Sequence, residues 1–386
     1  MHVNQQNIAG SRLLSRLDSD IRKTYDPVDN ACLRAERAAQ LARLGQFDTA
    51  HQEMAALHAN FDRRSTASVS AWICLAEGCI AYFSSLSSTA RDKMQRAHAI
   101  SAAANLPRIR AISAAWLAHM DFAHFDLEAT SRHAREAFEL ATPSNLAAIS
   151  RASLVVGVAF HFANRLDLAQ PWFVRSRECA IAEGDEATLS ALSYNIAAYR
   201  GNHAMQRSLF GGDVAEEARH ALAGADSTDN IGQWVGITSL DSLVPMLRAV
   251  IHSVQGEYDK ALVLYQAHWL DAKRQGLGRL SANFLADMAW CRWNRGDHAG
   301  AMRDAASAGG NIDPSMHADD RAVAHGRLAQ VYRAVGETDN ALVHEGKARE
   351  SWNAHKRLQA RTIELLADLP LPHAAVAAAP LRTGTC

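Results

Sequence analysis

Lysine is scarce in this 386-residue chain: six are present, so nearly all of the 40 basic side chains are arginines. Forty-one acidic residues balance them to a net charge of −1. There is no basic excess of the kind that a phosphate-backbone binder needs, and direct nucleic-acid recognition is not expected. Proline and glycine are also sparse, nine and 22 respectively, which leaves long helices uninterrupted. No stretch alternates with period two for long enough to make a sheet. The six cysteines (Cys32, Cys74, Cys79, Cys179, Cys291 and Cys386) form no CxxC pair. A chain of this size needs no disulfide frame, so a secreted cystine scaffold is not expected. The first twenty residues lack the continuous apolar segment of a signal peptide. No apolar run reaches the ~18 residues of a membrane span. The expected location is cytoplasmic, with no membrane partner.

Catalytic motifs are missing too. The eighteen histidines include no HExxH or HxxxH pair, so no helix offers two imidazoles at zinc-binding spacing. There is no GxSxG elbow, no SxxK and no glycine-rich phosphate loop. Gly276-Leu277-Gly278-Arg279 reads as turn glycines between helices rather than a dinucleotide fingerprint. Cys74 and Cys79 fall inside apolar helical patterns, where thiols are inert. No catalytic residue, cofactor or metal is expected, and the chain reads as a non-enzyme.

What is present is a phrase that returns. VQGEYDKALVLY, NRGDHAGAMRD and AVGETDNALVH each carry a glycine, an acidic residue and an alanine; the alanines are Ala261, Ala301 and Ala341, spaced by 40. Twelve positions before each stands another alanine: Ala249, Ala289 and Ala329. Two antiparallel helices joined by a tight turn approach closely only where each presents a small side chain. The turn glycines, Gly256, Gly296 and Gly336, let the chain leave the first helix in a left-handed conformation. Asp259, Asp297 and Asp339 suit the start of the second. The same pattern appears upstream in more divergent form. Ala50 pairs with Ala38, Ala90 with Gly78, Thr130 with Ala118, and Ala169 with Gly157.

This arrangement resembles the tetratricopeptide-repeat (TPR) family. The two small residues, with an aromatic in several turns, match that family's pattern. Pro143 and Pro314 match the proline that ends its second helix. The step of 40 exceeds the usual 34 and is similar to the long-helix variant found in sensor and scaffold regions of bacterial regulators. The family's tryptophan and leucine early in the first helix are mostly absent here. The resemblance implies an all-α fold, a right-handed α-solenoid of antiparallel helix pairs forming a TPR-like superhelix. Residues 28–368 would hold about eight pairs, behind an N-terminal capping segment, 1–27. Residues 369–386 read as a disordered Pro/Ala-rich tail. From Ala169 to Ala261 the spacing is twelve residues longer than two steps. An irregular repeat near 186–225, with helix interruption at Gly201, Gly211 and Gly212, is expected to absorb the surplus.

In this family the first helix of each pair lines the concave face. Helical spacing from the anchors then selects Tyr82, His119, Phe122, His161, Asn283, Trp290, Trp293 and Arg333. The irregular repeat adds Tyr194, Asn195 and Arg200. Aromatic area with a few amides and charges suits a peptide or protein segment. The same aromatics also fit as filling between helices. Three functions stay open: a non-catalytic protein–protein interaction scaffold, a signalling or transcription regulator responsive to a peptide or small signalling ligand, and an enzyme whose site is assembled across repeats.

Overall fold

The computed structural model describes residues 10–61 and 66–370. The expected tail, beyond residue 370, and the first nine residues of the expected cap lie outside the described residues. Among the described residues there are seventeen α-helices, one 3-10 turn and no strand. A short helix α1 (Arg12–Lys23) precedes four pairs: α2 (Pro27–Leu44) with α3 (Phe47–Phe61), α4 (Ala67–Ser85) with α5 (Thr89–Ala103), α6 (Pro107–Ala123) with α7 (Leu127–Leu140), and α8 (Leu146–Phe162) with α9 (Leu166–Glu183). Four more follow: α10 (Glu186–Phe210) with α11 (Ala215–Val235), α12 (Leu243–Val254) with α13 (Tyr258–Arg274), α14 (Ser281–Asn294) with α15 (His298–Gly310), and α16 (Ala318–Val335) with α17 (Thr338–Leu366). The 3-10 turn Leu277–Leu280 leads into α14. The fold is an all-α solenoid of antiparallel helix pairs.

Local chemistry sets the helix ends. Asp26 caps α2, its Oδ1 accepting from the backbone N–H of Val28 and Asp29, with Pro27 in the first turn. Asp297 caps α15 in the same way through the N–H of Gly300. Pro143 and Pro314 fall in the loops after α7 and α15. By length and composition α4 is apolar enough to cross a membrane, which corrects the expectation that no run would be. Here it packs between α2 and α5, with half of its apolar window buried.

Every paired small residue is buried. Ala38, Ala50, Ala118, Ala169, Ala249, Ala261, Ala289 and Ala301 are fully inaccessible, and Ala90, Thr130, Ala329 and Ala341 nearly so. At Gly157 a Cβ would lie 2.6 Å from Cδ1 of Phe173 in the facing helix α9. The aromatic ring fills the space that even alanine would need.

The superhelix winds far enough to meet itself. The end of α2 touches the segment before α12: the N–H of Thr238 donates to the Leu44 carbonyl at 3.0 Å, and Ser239 Oγ to that of Arg43 at 2.7 Å. The end of α4 touches the segment before α14 so closely at Gly276 (φ 96°) that a Cβ there would lie 2.3 Å from the Ser85 carbonyl oxygen, and only glycine fits. After α6, the ring of Phe125 lies 4.4 Å from His317, just before α16. After α8, the Phe162 carbonyl accepts from Gln359 of α17. Each first helix thus meets the repeat five steps on, and the far half of α17 takes the place of a ninth first helix.

The irregular repeat is long rather than broken. Gly201 does not interrupt a helix; α10 runs 25 residues straight through it. Its missing side chain instead admits Leu247 of α12, whose Cδ1 would be 2.7 Å from a Cβ there. Gly211 and Gly212, at positive φ, end α10. The extra residues let α10 reach from one end of the array to the other. At its start, Arg43 of α2 bonds Asp185 and Thr188, and Ser11 and Arg12 bond Glu186. At its end, Phe210 stacks on Trp352 of α17 at 4.6 Å.

Two glycines should respond oppositely to alanine. Gly157→Ala forces a Cβ into Phe173 and is expected to cost about 1–3 kcal/mol. Gly346→Ala, exposed within α17 with nothing within 4 Å, is expected to gain ~0.5–1 kcal/mol from helix propensity. Urea unfolding midpoints measure both.

Candidate functional site

Arg279, in the 3-10 turn, lies where side chains of several repeats converge inside the superhelix. Gly276 at positive φ starts that turn against Ser85, and so fixes where Arg279 projects. Its side chain remains 55% exposed and donates to Asp320 Oδ2 at 3.2 Å. Its charge also acts on Tyr82 of α4, Tyr194 and Tyr199 of α10, and His317. Side chains of four repeats, distant in sequence, therefore share one interior.

On one wall, Tyr82 Oη and His119 Nε2 are 2.7 Å apart. Both rings pack edge-to-face with Trp116. Burial, then the nearby Arg151, pushes the His119 imidazole down to about 3, and burial raises the Tyr82 phenol. Both partners are therefore neutral near pH 7. Arg151 lies over the Trp116 ring at 4.0 Å. On the opposite wall, burial, followed by the charge of Asp319, pushes the Asp320 carboxyl up to about 7. Asn283 Nδ2 approaches Asp320 Oδ1 at 3.4 Å. Behind Tyr199, the rings of His161 and His203 pack 5.3 Å apart. Burial lowers them to about 3 and about 4.

The structure brings Tyr82, His119, Tyr194 and Asn283 into this interior. It places the other sequence candidates elsewhere. Phe122 is core, packed on Phe125 and Phe162. His161 is 2% exposed behind Tyr199. Asn195 donates to its own helix at Ala191, and Arg200 pairs with Glu217 of α11. Trp290 packs between α14 and α16 beneath Arg327. Trp293 folds onto His298 across the α14–α15 turn at 4.1 Å. Arg333 is exposed and paired with Glu345 of α17. Except for Asn195, which bonds within its own helix, a neighbouring element supplies the partner that a ligand would otherwise have to supply. Arg279, His317 and Asp320 were missed: Arg279 and His317 precede their helices and Asp320 lies in a first helical turn, all outside the helical spacing that selected candidates.

Two clefts open on the outer helices. One, about 590 Å³, lies between α7 and the end of α17; the other, about 560 Å³, lies among α3, α4 and α5. Glu136 pairs with Arg110 and Glu77 with Lys93 there, and neither cleft is lined by a tyrosine, tryptophan or phenylalanine, so the aromatic interior is the stronger candidate.

No protein-family model and no curated protein matches the chain. A solved structure does: Rap protein complexed with competence and sporulation factor. It superposes with a TM-score of 0.53 at 11% identity, covering 89% of this chain and 92% of that one. The fold is a TPR-like helical repeat. At that identity the likeness speaks for the fold alone.

The buried histidines predict acid sensitivity. His119, His161 and His203 have folded pKa values below their ordinary 6.5. Between pH 6.5 and about 4 the unfolded chain therefore binds more protons, and stability falls as pH falls. Asp320, raised to about 7, acts in the opposite sense throughout this range, but one carboxyl is outweighed by three imidazoles. Urea midpoints are expected to drop steadily from pH 7 to 4.5, and His203→Gln to flatten that slope.

Proposed function

We propose that this chain is a non-catalytic scaffold that takes a peptide or protein segment into the concave interior around Arg279. The observation that carries the reading is the combination found there. Aromatic side chains from α4 and α10 stand beside a cation and a carboxyl that both keep contact with solvent. Aromatic faces supply contact area. A guanidinium recognises a carboxylate by a two-pronged hydrogen bond, so a segment with a free C-terminus or an acidic side chain suits the site. The capture of competence and sporulation factor by Rap protein, which shares the fold, supports a ligand of this kind.

A second reading, a ligand-responsive regulator, gains from the meeting of superhelical turns. Arg279 and Asp320 project from the segments that touch the preceding turn, at Gly276 against Ser85 and His317 against Phe125. A ligand held between them would bear on both contacts and so on the pitch of the superhelix. This is the behaviour expected of the sensor regions that the long repeat resembles.

A displayed library of short peptides, panned against the full chain, tests the first reading. Selected peptides are expected to bind at micromolar Kd or better. Arg279→Ala and Tyr194→Ala should each weaken them at least about tenfold, roughly 1.4 kcal/mol. Melting should be unchanged for Arg279→Ala; Tyr194→Ala, which loses core packing, is assayed below its melting range. Arg333→Ala should have no effect. Failure to select any peptide, or binding indifferent to Arg279 and Tyr194, would sink the proposal. A change in X-ray scattering radius on adding the peptide would add the regulator reading; a constant radius would leave a passive scaffold.

A further inference from the structure

His317, Asp319 and Asp320 stand together at the amino end of α16, with one ligand atom of each within 4.8 Å of the others. Acidic residues in a first helical turn are ordinary, because the helix dipole favours them. Two other observations point to a cation. Oδ1 of Asp319 is shut off from solvent and has no hydrogen-bond partner. In α17, His355 is 1% exposed, and neither of its ring nitrogens has a hydrogen-bond partner. Phe162 and Trp352, each 5.0 Å away, fix that ring, and the charge that reaches it is that of Asp319. Buried polar atoms are nearly always partnered, so orphans on two neighbouring helices call for a common explanation.

We propose that His317, Asp319 and Asp320, with His355 as fourth protein ligand, form a binding site for a divalent transition-metal ion such as Zn²⁺. Two imidazoles and two carboxylates are the donor set that such an ion takes, at about 2.0–2.2 Å from each donor. Ligand atoms set tetrahedrally at those distances lie about 3.4 Å apart, so the three clustered residues would draw together around the ion, and His355, which stands outside that cluster, would join them from α17. His317 and Asp320 keep 23% and 20% side-chain exposure, which leaves a path for the ion. The outer partners are present as well. Arg279 donates to Oδ2 of Asp320, and Asn283 approaches its Oδ1, the kind of contact that orients a ligating carboxylate. The arginine charge disfavours a cation, but each Asp320 oxygen accepts a single contact and keeps a lone pair, and Oδ1 of Asp319 has no hydrogen-bond partner. A bound ion would join α16 to α17 and, through the His317 ring on Phe125, one superhelical turn to the next. The site goes beyond the peptide reading and does not depend on it.

The test is Co²⁺ titration of the chelator-stripped full chain, followed by visible absorption, with Zn²⁺ as competitor. One ion per chain is expected, displaced by Zn²⁺, with no thiolate charge-transfer band. His317→Ala and Asp319→Asn should each weaken binding at least tenfold. Zn²⁺ should raise the melting temperature of the wild type and not that of Asp319→Asn, whose circular dichroism shows whether it folds. Absence of stoichiometric binding would overturn the proposal. So would unchanged affinity in both variants, or a thiolate band showing capture by a cysteine. Peptide binding measured in the presence of chelator keeps the two proposals separately testable.

Discussion

The structure depends on how closely two helices can approach within a pair. At nearly every turn each helix of the pair buries a small residue, and the backbones come together as they could not across leucine. Because nearly every crossing is built alike, each pair turns the chain by a similar amount. Such rotations accumulate. After five pairs the chain has come round, and the exits of α2, α4 and α6 lie against the entries to α12, α14 and α16. The interior around Arg279 exists only because of that closure. A bulkier residue at one crossing, such as Gly78 beneath Met94, would change the local angle and displace everything beyond it.

Small residues set the spacing within a pair but not the angle between pairs, and here buried charges take over. Asp121, fully inaccessible on α6, accepts from Arg91 of α5 and contacts His133 of α7. Asp287 on α14 accepts from Ser253 of α12, Tyr265 of α13 and Arg327 of α16. Both hold consecutive repeats in one orientation. Buried ion pairs contribute little net stability, since desolvation cancels most of the attraction. Losing one partner is costly, however, so a repeat that slid past its neighbour would strand a charge. Directional bonds of this kind specify the angle where apolar packing alone would tolerate several.

This division explains what could be read from the chain. The anchors at 261, 301 and 341 were legible because close approach is a local demand, met by residues twelve apart. The fold class followed from them. Gly201 misled because a glycine within a helix looks the same in sequence whether it breaks the helix or admits a neighbour; only Leu247, from another helix, decides. Of the proposed groove residues, Tyr82, His119, Tyr194 and Asn283 reach the interior, while Trp290, Trp293 and Arg333 meet partners on adjoining helices. Helical spacing gives the face of a helix but not what covers that face. Arg279 was invisible for a further reason. It is brought to Tyr82 by the sum of five rotations, and no local pattern encodes such a sum.

Asp320 belongs to both proposed sites, since it pairs with Arg279 in the interior and stands in the cluster with His317 and Asp319. That shared residue has a thermodynamic consequence. A cation on Asp320 takes up part of the carboxylate's charge while Arg279 keeps its contact, and so leaves more of the guanidinium's charge for an acidic group from a peptide. Binding of the two ligands is then coupled, and by linkage the peptide must favour the cation by the same factor as the cation favours the peptide. Both ligands would act on one movable element, the contact between superhelical turns at His317 and Phe125. Two ligands that bias the same contact need no separate route of communication between them.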